Sequence, residues 1–121
     1  MISEQLCDYT IREAYYEDNK LVRSIFSSKN GHEYMNNQQC WASFKCPQGL
    51  HAYWRRRSFS TERHYDQVRF YGVKTDQYRI YSGDLGGSHT WHTLSDDEII
   101  FEFKSDEDTT NGGFEFHLTC K

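Results

Sequence analysis

The feature that most restricts this chain is a set of short runs in which apolar and polar residues alternate, each bounded by a turn. Glu98-Ile99-Ile100-Phe101-Glu102-Phe103 and Phe114-Glu115-Phe116-His117-Leu118 repeat with period two, the spacing of a half-buried strand. His51–Arg55, Gln67–Tyr71 and Gln77–Tyr81 read the same way. Asn30-Gly31, Pro47-Gln48-Gly49, Gly72, Ser82-Gly83, Gly86-Gly87 and Asn111-Gly112-Gly113 supply the turns, because glycine and asparagine accept the backbone angles that turns need. Strands recurring about every 8–12 residues predict a β-sandwich or barrel. The apolar material agrees: aromatic residues are 17% of a chain only 36% hydrophobic, and rings suit half-wet strands better than helical bundles. One stretch, Asp8–Arg23, has room for a helix. Its Tyr15-Tyr16 pair and missing Asn or Ser cap weigh against one.

With 121 residues, residues 1–121 are expected to form a single domain with a core of its own. A net charge of −4 argues against a general nucleic-acid binder. No apolar run approaches the length of a membrane-spanning helix, so no membrane insertion is expected. Met1–Leu6 has no apolar stretch or cleavage site; the chain is either intracellular or separated from a signal peptide or flanking domains. The cysteines favour the second option. Cys7, Cys40, Cys46 and Cys120 are an even set in a small chain, and no two have the spacing of a zinc knuckle or redox pair. Two disulfides are expected, and with them an extracellular, secreted setting.

Three blocks in order resemble the CUB domain family. Phe103-Lys104-Ser105-Asp106, six residues, then Gly113-Phe114 is similar to the family's Phe-x-Ser-Asp…Gly-Phe segment. Tyr34–Cys40 followed by Phe44-Lys45-Cys46-Pro47-Gln48-Gly49 resembles its Asn-Tyr-Pro-x-Asn…Cys, strand, Pro-x-Gly segment. Tyr65-Asp66-Gln67-Val68-Arg69-Phe70-Tyr71-Gly72 looks like its Tyr-Asp-x-Val-x-x-Tyr-x-Gly. The resemblance spans Tyr34 to Cys120. It implies an all-β, jelly-roll-like sandwich of two antiparallel sheets, and a non-catalytic extracellular recognition or adhesion module within a larger multidomain protein. Cys7 and Cys40 match the family's first disulfide, which leaves Cys46 to pair with Cys120; the pairing Cys40–Cys46 with Cys7–Cys120 stays open. The family's second disulfide has no counterpart, because its places hold Arg63 or His64, and Ser82.

The resemblance also implies a calcium site made of Glu62, Asp66 and Asp106, with Asp108 near enough to complete the shell. Hard Ca²⁺ takes six to eight oxygens, and carboxylates gathered from loops supply them. Glu62 and Asp66 are four residues apart, closer than is usual in the family. The expected partner is a protein offering basic side chains to the acidic rim. Arg55, Arg56 and Arg57 give a second candidate surface, for a sulfated glycan or acidic partner; as consecutive residues they equally suit a guarded edge strand. A carbohydrate-binding module is therefore the alternative function, and an ancillary domain of a secreted protease a further one. No enzyme is expected. Gly83–Gly87 lacks the spacing and lysine of a phosphate loop, no nucleophile elbow occurs, and His89 and His92 flank Trp91 in a turn-rich segment poorly suited to a shared metal.

Overall fold

The computed structural model describes residues 2–4, 11–26, 34, 36–107 and 110–121. Among them are ten strands and no helix: β1 Ile2–Glu4, β2 Ile11–Glu17, β3 Lys20–Phe26, β4 Gln39–Lys45, β5 Ala52–Ser60, β6 Gln67–Gly72, β7 Tyr78–Tyr81, β8 His92–Thr93, β9 Glu98–Lys104 and β10 Gly113–Cys120. They form two five-stranded antiparallel sheets, β1-β4-β9-β6-β7 and β2-β3-β10-β5-β8. The predicted β-sandwich is thus what the chain builds.

The two-residue alternation decides which face goes inward. Ile99, Phe101 and Phe103 of β9 and Phe114, Phe116 and Leu118 of β10 are buried, while their neighbours along β9 stay half-exposed. The inward rings interlock. Trp54 is fully buried, stacks on Phe70 with centroids 4.4 Å apart, and donates its indole N–H to the Tyr81 hydroxyl at 2.9 Å. Phe70 meets Phe101 and Phe116 edge-on. Each such ring contributes up to about 3 kcal/mol of burial free energy, and satisfying the indole N–H avoids the cost of a buried, unpaired donor. Trp54 is therefore a core residue.

The stretch with room for a helix proves to be two strands and the turn between them, with residues 8–10 lying outside the described residues. β2 and β3 form a hairpin through Asp18 and Asn19, both in the left-handed region at φ 50° and 63°. Two consecutive positive φ values make the tight turn whose twist matches the strands it joins, and Asp and Asn enter that region more readily than other non-glycine residues.

β8 covers β5 only at Tyr53 and Trp54. Further along, the segment from Gly83 takes over. Leu85 and Gly86 donate backbone N–H groups to the Phe59 carbonyl at 3.1 and 3.0 Å, and Ser88 donates to the Arg56 carbonyl at 2.6 Å. The edge is sealed by backbone, so no bare strand is left there. Gly87 makes this approach feasible: a Cβ there would sit 2.3 Å from the Arg57 carbonyl oxygen. Gly87→Ala should lower stability by about 2 kcal/mol through overpacking, a fall of roughly 8 °C in midpoint. Gly112→Ala, where nothing lies within 4 Å, is the control for calorimetry. Equal midpoints for the two variants would remove Gly87 from this role.

Candidate metal centre

At one end of the sandwich three loops converge. Beyond β5 the chain makes a single tight turn: Asp66 N–H donates to the Glu62 carbonyl at 3.0 Å, and His64 adopts φ 71°. This turn accommodates the short spacing between Glu62 and Asp66. Two hydroxyls hold it. Thr61 Oγ1 donates to the Asp66 carbonyl at 2.9 Å, as does Ser82 Oγ at 2.9 Å, and Ser82 Oγ accepts from the His64 N–H at 2.9 Å. Ser82 and His64 stand where the resemblance placed the missing disulfide, so hydrogen bonds connect what a covalent link would otherwise join.

Asp106 arrives from the end of β9. Its backbone N–H donates to Asp66 Oδ1 at 2.8 Å. The Tyr34 hydroxyl donates to Asp66 Oδ2 at 2.5 Å and accepts from the Glu62 N–H at 3.0 Å. Tyr34 is itself buried, edge-on to Phe103 at 5.1 Å. The outcome is that one carboxylate oxygen from each of Glu62, Asp66 and Asp106 lies within 4.8 Å of the others.

Electrostatics follow from burial. Asp66 is fully buried. Desolvation pushes its carboxyl above the usual range, the neighbouring Asp106 charge adds to this, and the Tyr34 and Asp106 donors pull it back. The Tyr34 phenol is pushed up in turn, first by its own burial and then by Asp66, so it remains a donor at neutral pH. Three carboxylates this close repel unless a cation lies between them. The set is all hard oxygen, without imidazole or thiolate, and this donor chemistry fits Ca²⁺. Asp108, the fourth acid, lies outside the described residues.

The arginines do not converge. Arg55 pairs with Glu17 at 3.2 Å, donates to His117 Nδ1 at 3.2 Å and lies 4.4 Å from the Trp91 ring centroid. Arg56 donates to the Gly86 carbonyl at 2.8 Å and lies over the Tyr81 ring. Arg57 sits exposed at the bulge of β5 against β10. Of the cysteines, Cys46 and Cys120 form a disulfide with Cα atoms 5.8 Å apart. Cys40 is also disulfide-bonded, while Cys7 lies outside the described residues. Sequence reasoning missed Tyr34, Thr61 and Ser82 as parts of the site. Tyr34 and Ser82 were visible only as members of a motif or a turn, and nothing local to any of the three signals a contact made up to 32 residues away.

The CUB-domain family model matches residues 7–118. The chain belongs to the CUB domain family. CUB domains are typically non-catalytic protein-interaction modules. This CUB domain superposes on the full extracellular region of zebrafish Gpr126/Adgrg6 with a TM-score of 0.72 at 17% identity, covering 82% of this chain and 13% of that one. It matches the CUB1-EGF-CUB2 region of human MASP-1/3 with a TM-score of 0.69 at 14% identity, over 94% of this chain and 48% of that one. The MASP-1 CUB2 domain bound to Ca²⁺ gives a TM-score of 0.64 at 17% identity, over 80% and 90%. At these identities the likeness is one of fold. The chain thus spans about half or less of the first two structures, the second of which joins two CUB domains through an EGF domain. The curated proteins yielded no match.

Proposed function

We propose that residues 1–121 act as a single extracellular CUB domain that recognises a protein partner through a calcium-organised acidic rim. The observation that carries this reading is the meeting of Glu62, Asp66 and Asp106 within 4.8 Å. Those three residues would hold the ion, and Ca²⁺ when bound supplies the positive charge that lets three carboxylates share one site. Tyr34 and the Asp106 N–H orient Asp66, so its oxygens are preset before any ligand arrives. Preset loops lower the ordering cost of binding. Carboxylate oxygens left over on the rim accept a lysine or arginine of the partner through charge-assisted hydrogen bonds. The extracellular setting is supported by the disulfides. The scattered contacts of Arg55, Arg56 and Arg57 lend no such support to a sulfated-glycan patch.

Adding about 2 mM calcium should stabilise the domain by about 1–2 kcal/mol, given the 10⁻⁴–10⁻³ M range of extracellular sites. The thermal midpoint then rises by roughly 4–8 °C, and Asp106→Ala abolishes the rise. Isothermal calorimetry on the same pair should show one calcium bound to the wild type and none to the variant. A wild-type midpoint indifferent to both calcium and EDTA would sink the reading. Partner capture from an extracellular fraction should be lost in EDTA.

A further inference from the structure

The opposite end of the sandwich carries a second surface of different chemistry. β4 runs away from the acidic rim and ends at Lys45, β10 runs the same way and ends at Cys120, and β5 starts there. The eight residues of β10 put the two ends roughly 25 Å apart. Here the edges of the two sheets part, and a cleft of about 420 Å³ opens between β3 and the end of β4. Its apolar lining includes Leu21, Phe44, Pro47 and Leu50, of which Leu21 and Leu50 are each 38% exposed. Arg23 pairs across the sheet with Leu118, a core residue, so its side chain leans into the cleft from the inner face.

The rim is cationic. Lys20, Arg23 and Lys45 line the cleft, and no carboxylate side chain does among the described residues. None of the three forms an ion pair with a described residue. The nearby acids have other partners or places: Glu17, opposite Lys20 in register, pairs with Arg55; Asp18 lines the outer groove, which Lys20 also borders, with Trp91; and Glu98, opposite Lys45 in register, accepts from Ser43 Oγ at 3.1 Å. Lys121 also borders the cleft, but its ammonium lies 5.0 Å from both the Tyr53 and Trp91 ring centroids. Three cations without an ion pair stand around an apolar floor, on a chain of net charge −4.

We propose that this cleft is a calcium-independent docking site for an acidic peptide segment of a partner protein, one whose apolar side chains enter between the sheets while flanking carboxylates meet Lys20, Arg23 and Lys45. The volume lies within the range of ligand pockets. The cations come from separate places on β3 and β4, so they suit several spaced carboxylates better than one headgroup. Apolar anchors ringed by complementary charge are the usual build of such contacts.

The test is fluorescence anisotropy with a labelled peptide, acetyl-Glu-Glu-Leu-Phe-Glu-Glu-amide, on the intact chain. Binding should saturate, weaken with rising salt, and be at least tenfold weaker for Lys20→Gln combined with Lys45→Gln, whose thermal midpoint should match the wild type because no like-charge pair is created opposite Glu17 or Glu98. Leu50→Asp should weaken it similarly by spoiling the floor. EDTA and Asp106→Ala should leave it unchanged, so its failure is separable from that of the calcium reading. Absence of binding, equal binding of a peptide with lysine for glutamate, or an unaffected charge-neutralised variant each overturns the proposal. So does sodium dodecanoate displacing the peptide at lower concentration than unlabelled peptide, which would assign the cleft to a small amphiphile.

Discussion

Replacing Cys46 and Cys120 together by alanine is expected to lower the thermal midpoint by roughly 15 °C. The bridge closes a separation of 74 residues, and in the chain-entropy model a loop of that size restricts the unfolded chain by about 4 kcal/mol. For a domain of this length that free energy corresponds to the stated fall. Position strengthens the effect. Cys46 follows the last residue of β4 and Cys120 is the last residue of β10, so the bond ties one sheet to the other where the cationic cleft parts them. Calorimetry of the oxidised double variant against the oxidised wild type reads this directly. A drop under 5 °C would mean that packing alone holds that end together.

Asp96→Ala should cost about 3 kcal/mol at pH 7. Asp96 is buried and acts as a hub: Oδ2 accepts from the Lys74 N–H at 2.7 Å and the Thr75 N–H at 2.9 Å, and Oδ1 accepts from the Glu98 N–H at 2.9 Å. Its own carbonyl accepts from the Ala52 N–H at 2.8 Å, linking the β6–β7 turn, the start of β9 and the start of β5. Removing the carboxylate strands three backbone donors, at about 1 kcal/mol or more each. Burial alone would raise this carboxyl, yet the donors outweigh it and hold it below the usual range. A depressed folded-state value stabilises the protein above the unfolded value of about 3.9 and loses that contribution as pH falls through the folded value. Urea denaturation should therefore show a gap between wild type and variant that is full at pH 7 and narrows below about pH 4. A gap that stays constant down to pH 3 would sink this assignment.

What could be read in the sequence, and what could not, divides along a physical line. β9 was legible because one face is dry and the other half-wet, an asymmetry written as period two; β10 carries the same alternation of rings and polar residues, although His117 and Thr119 on its other face are buried as well. The β2–β3 hairpin was hidden because its turn is Asp18-Asn19, where the commoner signal is Asn-Gly or Asp-Gly. Glu62, Asp66 and Asp106 could be nominated from motif spacing. Tyr34 could not, since its role depends on a hydroxyl reaching a loop brought near only by folding. Arg55, Arg56 and Arg57 look like one patch on paper. Strand alternation and the bulge in the β5–β10 pairing send them to three different surroundings. Asp96 stands beside Asp97 and Glu98, and nothing in those neighbours reveals the turn it caps 21 residues away.

The clasp formed by Ser82 has a consequence for how the acidic end behaves in time. A covalent cross-link constrains a loop whether or not anything is bound, so it cannot carry information about occupancy. Hydroxyl bonds to the Asp66 carbonyl and the His64 N–H break and re-form on their own. Opening the 62–66 turn would require breaking only such hydrogen bonds and no covalent one. Whatever binds the closed form opposes that opening. A rim held by hydroxyls in this way would gain order as a ligand binds it, where a cross-linked rim would already be ordered.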